Sequence, residues 1–253
     1  MKASEIRVMT EIEDAHWWYQ GLRDLLSRMI DKFFKPNGNA RVLDAGCGTG
    51  ATLVLLKRTL NPEWLGGFDT SDLALEYCQQ KLPDGNLFQH DIRQPIDMGH
   101  EMDLIVSCDV LSEAGLTESR EGMQGLADTL SSGGLMILHL PAYQWLRSQH
   151  DLAVQTNERC TRSQVRSYMK SLGLTPVFIS YRLCCLFPVI LPLRLRSAWF
   201  PTKDVATAQS DLRMPNPIIN HTLVRNLRTE NQFLAKGGRF PFGLSIIACA
   251  TKP

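Results

Sequence analysis

The chain has 253 residues, which is long enough for one large domain with a substantial core. It carries 27 Lys plus Arg and 26 Asp plus Glu, so its formal charge of +1 gives no global argument for nucleic acid and leaves only a local basic patch open. Its seven cysteines form no C-x-x-C pair and no zinc-like spacing with histidine, so we expect no metal site and reduced, cytoplasmic thiols.

The apolar segments are too short to cross a membrane. Residues 1–16 are charged and polar, unlike a secretory signal. The longest uncharged apolar stretch, residues 183–193 (LCCLFPVILPL), contains Pro188 and Pro192 and is about half the length of a spanning helix. The sequence therefore predicts a soluble, cytoplasmic protein with no transmembrane segment.

A helical pattern covers about residues 12–35. Its apolar positions fall on one stripe, which predicts a helix docked on the core: Trp18, Leu22, Leu25, Leu26, Met29 and Phe33. The aromatic start, Trp17–Tyr19, is compatible with packing and with a role as a lid over a ligand.

From residue 41 onward, short apolar runs alternate with helical patterns, which indicates a mostly parallel α/β sheet. The predicted strands are 41–45, 64–68, 86–89, 102–108, 135–140, 175–182 and 243–251. Ser71 is predicted to cap one crossover helix, and Thr161 with Gln164 forms a capping box for another.

Two stretches interrupt this alternation, residues 142–160 and 183–240. Both contain many Pro, Arg and aromatic residues, and we interpret them as cap insertions over the carboxyl edge of the sheet. Within the second, residues 183–200 end in Arg194, Arg196, Trp199 and Phe200. A buried cap or a homodimer face is favoured there, and a membrane surface or a lipid-like substrate is the alternative.

The segment VLDAGCGTG, residues 42–50, predicts a ligand-binding turn between a strand and a helix. Gly46, Gly48 and Ala51 satisfy the dinucleotide pattern G-x-G-x-x-G/A. Gly46, Gly48 and Gly50 also satisfy the G-x-G-x-G turn associated with S-adenosylmethionine (SAM). The loop alone leaves both cofactors open.

Acidic residues at the strand ends favour SAM. Asp44, Asp69, Asp91 and Asp109 each lie at or just after the end of a predicted strand, at the edge where α/β sheets bind ligands. A pyrophosphate prefers a helix N-terminus without nearby carboxylates, whereas SAM carries a cationic sulfonium and ammonium. Asp44 therefore argues against a dinucleotide, and Asp69 argues against the 2′-phosphate of NADP.

The motifs together resemble the class I SAM-dependent methyltransferases. These are VLDAGCGTG, FDTS at 68–71, HDI at 90–92, DLIVSCDVL at 103–111 and LSSGGLMILHLPAY at 130–143. The resemblance runs from about 40 to 182 and includes the last strand. It implies a Rossmann-like fold with a seven-stranded, mostly parallel sheet whose last strand is antiparallel.

The remaining segments resemble a bacterial methyltransferase subgroup often linked to cell-surface polysaccharide or secondary metabolism. They are HWWYQGLRDLL, PAYQWLRSQHD, SDLRMPNPIIN and GGRFPFGLSIIACA. Two departures fall near the expected substrate mouth. Ser112-Glu113 stands where the subgroup has Glu-His, and residues 157–160 (NERC) replace a basic run. The substrate is therefore expected to differ from that of the relatives.

The resemblance implies roles for the cofactor residues. Gly46, Gly48 and Gly50 let the backbone approach the methionine part of SAM. Asp69 binds the ribose hydroxyls, Asp91 lies beside the adenine amino group, and Asp109 lines the cofactor or substrate mouth or caps a helix. Asp44 orders the loop near the SAM amino group. The same motifs add Cys47, Thr70 and Ile92 to the predicted cofactor-binding residues.

The residues that act on the methyl acceptor are less clearly marked. A hydroxyl acceptor needs a base, and His is the common one. His139 and His150 are candidates, although a structural role is favoured for His139. Tyr143 is a third candidate for contact with the substrate, and its alternative is packing within the insertion.

We therefore expect one SAM-dependent methyltransferase domain over residues 1–253, with a lid at about 12–35, a core at 40–182 and 241–253, and a cap at 183–240. Its acceptor is an oxygen or nitrogen of a small molecule or biosynthetic intermediate, of saccharide, lipid-like or natural-product type. The competing hypotheses are a nicotinamide-dependent oxidoreductase and a non-catalytic partner subunit. Nucleic acid is disfavoured as a substrate because CDVLSEA stands where an N/D-P-P-Y motif is expected.

Overall fold

The computed structural model describes residues 3–35, 40–148, 151–152, 155–192 and 213–253. A single sheet forms the centre of this structure. Its strands are β1 (Arg41–Ala45), β2 (Trp64–Asp69), β3 (Asn86–Gln89), β4 (Met102–Cys108), β5 (Leu130–Pro141), β6 (Thr175–Arg182) and β7 (Ser245–Thr251).

The strand order is β3-β2-β1-β4-β5-β7-β6. Pairs within the first five positions are parallel, whereas β7 pairs antiparallel with both β5 and β6. From β1 the sheet is extended to one side by β2 and β3 and to the other side by β4 and β5. The carboxyl ends of β1 and β4 are therefore the topological switch point, where such sheets bind ligands. The predicted Rossmann-like methyltransferase fold is confirmed.

Helices flank the sheet. They are α1 (Ala3–Ile12), α2 (Trp17–Phe33), α3 (Ala51–Leu60), α4 (Asp72–Lys81), α5 (Val110–Ala114), α6 (Arg120–Thr129), α7 (Arg162–Ser171) and α8 (Pro217–Ala235). The predicted caps are present: Ser71 accepts a hydrogen bond from the Ala74 N–H, and Thr161 with Gln164 forms the capping box.

The core has two apolar layers because successive residues of a buried strand point to opposite faces. Ile105 of β4 packs in one layer with α6 and α7, and its neighbour Leu104 packs in the other with α2 and α3. Both residues are fully buried. The near-continuous apolar runs in the strands follow from this double coverage.

The N-terminal segment differs from the single helix expected over about 12–35. It forms α1 and α2, separated by a turn in which Glu13 and His16 are buried. His16 ends the turn because its Nδ1 accepts the Trp18 N–H and caps α2.

Other boundaries differ less. β5 begins at Leu130, before the glycine pair that was expected to precede it, and its pairing with β4 is irregular between Met102 and Leu104. β7 begins at Ser245 rather than at Gly243.

The segment 183–240, predicted as a cap over the carboxyl edge, contains the helix α8. Its helix α8 packs along α2 in the same direction. Asn220, near the start of α8, accepts the Trp17 N–H at 2.9 Å, and Ala235, at its end, accepts from Lys32. Residues 193–212, including Arg194, Arg196, Trp199 and Phe200 of the predicted cap or dimer face, lie outside the described residues.

Candidate cofactor cleft and active site

A cleft of about 440 Å³ opens at the carboxyl ends of β1, β2 and β4, with α1 and α2 over it. Most of the predicted cofactor residues line it, namely Asp44, Gly46, Cys47, Gly48, Asp69, Thr70, Asp91, Ile92 and Asp109. The N-terminal helices add Ile6, Met9, Glu13, Trp18, Tyr19, Leu22 and Arg23. The structure thus brings the sequence-predicted strand ends together in one site.

The glycine loop is shaped by conformation and by close packing. Gly46 has φ +84°, and a Cβ there would overlap the side chain of Val110 at the start of α5. Gly50 has φ +88°, and a Cβ would lie 2.6 Å from the Sγ of Cys78 in α4. Gly50 does not line the cleft, so the absence of a side chain at this position serves the packing of the loop on α4.

Asp44 is a buried carboxyl at the end of β1, only 2% exposed. Burial and then the nearby charge of Asp69 raise the pKa of Asp44 to about 8. The side-chain carboxyl of Asp44 has no hydrogen bond or ion pair among the described residues. A ligand cation at this point would favour the ionised carboxylate.

Asp69 ends β2 and joins two loops. Its carboxylate accepts the Gly48 N–H and the Ser71 N–H, each at 3.0 Å. Each carboxylate oxygen can accept a further hydrogen bond, so Asp69 fixes the glycine loop and keeps capacity for ligand hydroxyls.

The β3 side of the cleft is more open. The Arg93 side chain donates to both carboxylate oxygens of Asp91, and this hydrogen-bonded pairing holds the pKa of Asp91 below its usual range. Ile92 is buried, and the ring of His90 meets Phe68 edge-on at 5.2 Å. This wall offers apolar and aromatic surface beside a carboxylate.

Asp109 lies at the end of β4 and connects the cleft to the core. Its carboxylate oxygens are 2.9 and 3.0 Å from Nδ1 of His139 in β5. His139 Nε2 is 3.0 Å from Nη1 of Arg182 in β6. His139 is fully buried and does not line the cleft. Asp109 begins α5, and no side-chain cap bond is present.

The turn between α1 and α2, and α2 itself, supply polar residues that the sequence did not single out. Buried Glu13 accepts the Thr49 hydroxyl at 2.7 and 2.8 Å and pairs with Lys81 of α4. Arg23 donates to the backbone carbonyls of Glu13 and Asp14, and its buried Nη1 has no hydrogen-bond partner within the described part of the chain. In the sequence these residues were indicated by the acidic segment EIED, which precedes the aromatic run. Such a segment is equally typical of a solvated turn.

Two candidate acceptor residues lie elsewhere. Tyr143, in a left-handed conformation at φ +59°, stacks on Tyr181 at 5.0 Å and is not among the residues that line the cleft. Tyr181 belongs to β6, so this contact joins the 142–160 segment to the sheet. His150 lies outside the described residues.

Comparison with known proteins indicates a family for this fold and cleft. Residues 42–134 match the family model of the methyltransferase domain. This part of the chain is therefore similar to known methyltransferase domains. Together with the sheet order, the match confirms the predicted SAM-dependent methyltransferase family and, with it, the class of cofactor. A comparison with curated proteins gave no match.

Solved structures share this fold over nearly the whole chain. A putative methyltransferase in complex with the Haloferax volcanii Trm112 activator has 17% identity and a TM-score of 0.61, covering 99% of this chain and 95% of its own. A TehB-like SAM-dependent methyltransferase from Corynebacterium glutamicum has 15% identity and a TM-score of 0.54, with 92% and 88% covered.

Magnesium protoporphyrin IX methyltransferase from Synechocystis PCC 6803, with bound S-adenosylhomocysteine (SAH), has 14% identity and a TM-score of 0.54. Its alignment covers 93% of this chain and 84% of that one. At these identities the likeness concerns the fold. Within the described ranges, no helix of the methyltransferase is long and apolar enough to span a membrane.

Proposed function

We propose that the methyltransferase transfers the methyl group of SAM to an oxygen or nitrogen of a small molecule or biosynthetic intermediate. The observation that carries this proposal is Asp44, a buried carboxyl beside the glycine loop with no cation among its described neighbours. The ammonium and sulfonium of SAM would supply the missing positive charge, whereas a pyrophosphate would add negative charge to it.

The other residues of the cleft fit the same ligand. Asp69 is proposed to accept from the ribose hydroxyls with its remaining lone pairs. Thr70, Asp91 and Ile92 are proposed to surround the adenine. Gly46 and Gly48 leave the backbone open toward the methionine part, at the end of the cleft where Asp44 lies.

Bound SAM supplies a methyl group on a positively charged sulfur, which is transferred by in-line displacement. The chain therefore has to hold the acceptor opposite that methyl group and exclude water, and correct placement supplies much of the rate. The covering helices α1 and α2 are suited to this exclusion because Trp18, Tyr19 and Leu22 line the cleft. We propose that residues 1–253 act as one domain.

Calorimetry distinguishes this proposal from a nicotinamide-dependent oxidoreductase. We expect SAH to bind the protein, and NADH to show no saturable binding. Binding of NADH without binding of SAH would refute the methyltransferase proposal. A non-catalytic partner subunit would bind SAH and leave labelled methyl groups untransferred when incubated with extracts of small metabolites.

A further inference from the structure

Three side chains form a line from the core to the cofactor cleft. Arg182 is fully buried, with Nη1 3.0 Å from Nε2 of His139, and Nδ1 of His139 is 2.9 Å from a carboxylate oxygen of Asp109. The three residues come from β6, β5 and the end of β4. This line ends in the carboxylate of Asp109, whose side chain is 32% exposed.

Hydrogen-bond chemistry fixes the tautomer of His139. A guanidinium only donates, so Nε2 of His139 must accept from Arg182. The ring proton then lies on Nδ1 and is donated to Asp109. With both nitrogens engaged and the ring fully buried, His139 has no lone pair to act as a base toward a substrate. Its contacts orient Asp109 instead.

The backbone of Asp109 is held in an unfavourable conformation. Its φ is +63°, in the left-handed region that a non-glycine residue adopts at a cost. The Asp109 N–H donates to the His139 carbonyl at 2.8 Å, so both backbone and side chain are tied to β5. Such conformations persist where the surroundings determine them, commonly at functional sites.

The residues that follow Asp109 contact two other parts of the cleft. Val110, the next residue, contacts Gly46 of the glycine loop. Asn157 also lines the cleft and donates through its backbone N–H to the Ser112 carbonyl at 2.8 Å. Asp109 thus lines the cleft just before residues that contact the loop proposed to hold the methionine part and the 155–157 segment.

We propose that Asp109 recognises a cationic or amine-bearing methyl acceptor, and that His139 and Arg182 are positioning residues for it. This inference rests on the proposed function. The carboxylate attracts the ammonium form and then orients the free amine by accepting one of its N–H groups. The nitrogen lone pair forms the new C–N bond as the C–S bond breaks, and the electron pair of that bond passes to sulfur. The proton that the ammonium loses before this step passes to water, and the product is the N-methylated ammonium.

A hydroxyl acceptor fits this arrangement less well. An alcohol must lose its proton as the methyl group is transferred, and that step calls for a base stronger than a carboxylate. His139 has no free nitrogen for this task. A neutral amine brings its own lone pair and needs only orientation. The fixed carboxylate of Asp109 suits that role.

Sinefungin and SAH test the proposal without knowledge of the acceptor. Sinefungin has a carbon bearing an ammonium group where SAM has its methylated sulfur, whereas SAH is neutral at that point. We expect the wild-type protein to bind sinefungin about tenfold or more tightly than SAH, since a charge-assisted hydrogen bond has this strength. In Asp109→Asn this preference should disappear while SAH affinity changes little. Isothermal calorimetry measures both ligands.

Two further variants test the positioning residues. His139→Phe removes the donor to Asp109 and should reduce the sinefungin preference, whereas His139→Asn, which keeps a side-chain N–H, should restore part of it. Thermal unfolding of each variant with SAH shows whether it folds. Asp69→Asn is the matched control and should weaken both ligands while leaving their ratio unchanged.

Three results would overturn the inference. The first is a wild-type protein that binds sinefungin and SAH equally. The second is an Asp109→Asn variant that loses affinity for both ligands in equal proportion, which would place Asp109 on a shared part of the ligands. The third is a preference that survives in both Asp109→Asn and His139→Phe. Failure of the wild-type protein to bind SAH at all would instead refute the proposed function.

Discussion

Replacing Asp44 by Asn tests the electrostatics of the cofactor cleft. The pKa of Asp44 rises from 3.8 to about 8 in the folded protein, because the group is buried beside Asp69. Between these values the unfolded chain releases the proton and the folded chain keeps it. The contribution of Asp44 to stability is therefore fully present below pH 3.8 and decreases as pH rises toward about 8.

The magnitude follows from linkage of one proton. The free energy of unfolding changes by at most about 1.4 kcal/mol per pH unit. Between pH 3.8 and about 8 the change therefore amounts to about 6 kcal/mol at most. Asn cannot ionise, so the free energy of unfolding of Asp44→Asn minus that of wild type should increase from about pH 5 to about pH 8. Urea unfolding of both proteins without ligand measures this difference.

Two comparisons sharpen the Asp44 experiment. Asp84→Asn makes the same chemical change at an exposed site, where the side chain is 87% accessible, and controls for general effects of charge. Saturating SAM should flatten the wild-type slope, because a nearby cation favours the ionised carboxylate. A difference between Asp44→Asn and wild type that stays constant with pH would refute the reasoning.

Three other substitutions test separate features. Asp69→Ala should weaken SAH binding about tenfold or more in calorimetry, because it removes the acceptor of the Gly48 N–H and the acceptor proposed for the ribose; unchanged affinity would place the ribose elsewhere. Glu13→Gln should raise the SAH dissociation rate about tenfold in stopped-flow fluorescence by weakening the bond to the glycine loop, whereas exposed Glu11→Gln should leave that rate unchanged. Gly122→Ala should cost about 1–3 kcal/mol in urea unfolding, since its Cβ would overlap the Ile92 carbonyl; a neutral result would show that α6 can shift.

The sequence predicted the cofactor side of the site well, for a physical reason. Strand ends can be located by the change from an apolar run to glycine or aspartate, and parallel strands bring such ends to one edge. Asp44, Asp69, Asp91 and Asp109 were placed at this edge by that pattern, and all four line the cleft. Their individual roles toward SAM stay predictions.

Local sequence patterns of this kind could not predict the contacts between distant segments of the chain. Arg182 ends a strand with the composition of an exposed edge, yet it is fully buried against His139, 43 residues earlier in the chain. Glu13 belongs to an acidic segment that resembles a solvated turn, and it bonds Thr49 of the glycine loop. In both cases a partner from a distant part of the chain allows the charged side chain to be buried, and the local sequence does not show that partner.

The pairing of α2 with α8 has a consequence for how the chain reaches its native state. Asn231 donates to the Gly21 carbonyl and to Asp24, so residues separated by more than two hundred positions must meet before α2 is complete. The same helix carries Trp18 and Tyr19 over the cleft. During synthesis α8 emerges more than 180 residues after α2, so these contacts of α2 form only when most of the chain has been made.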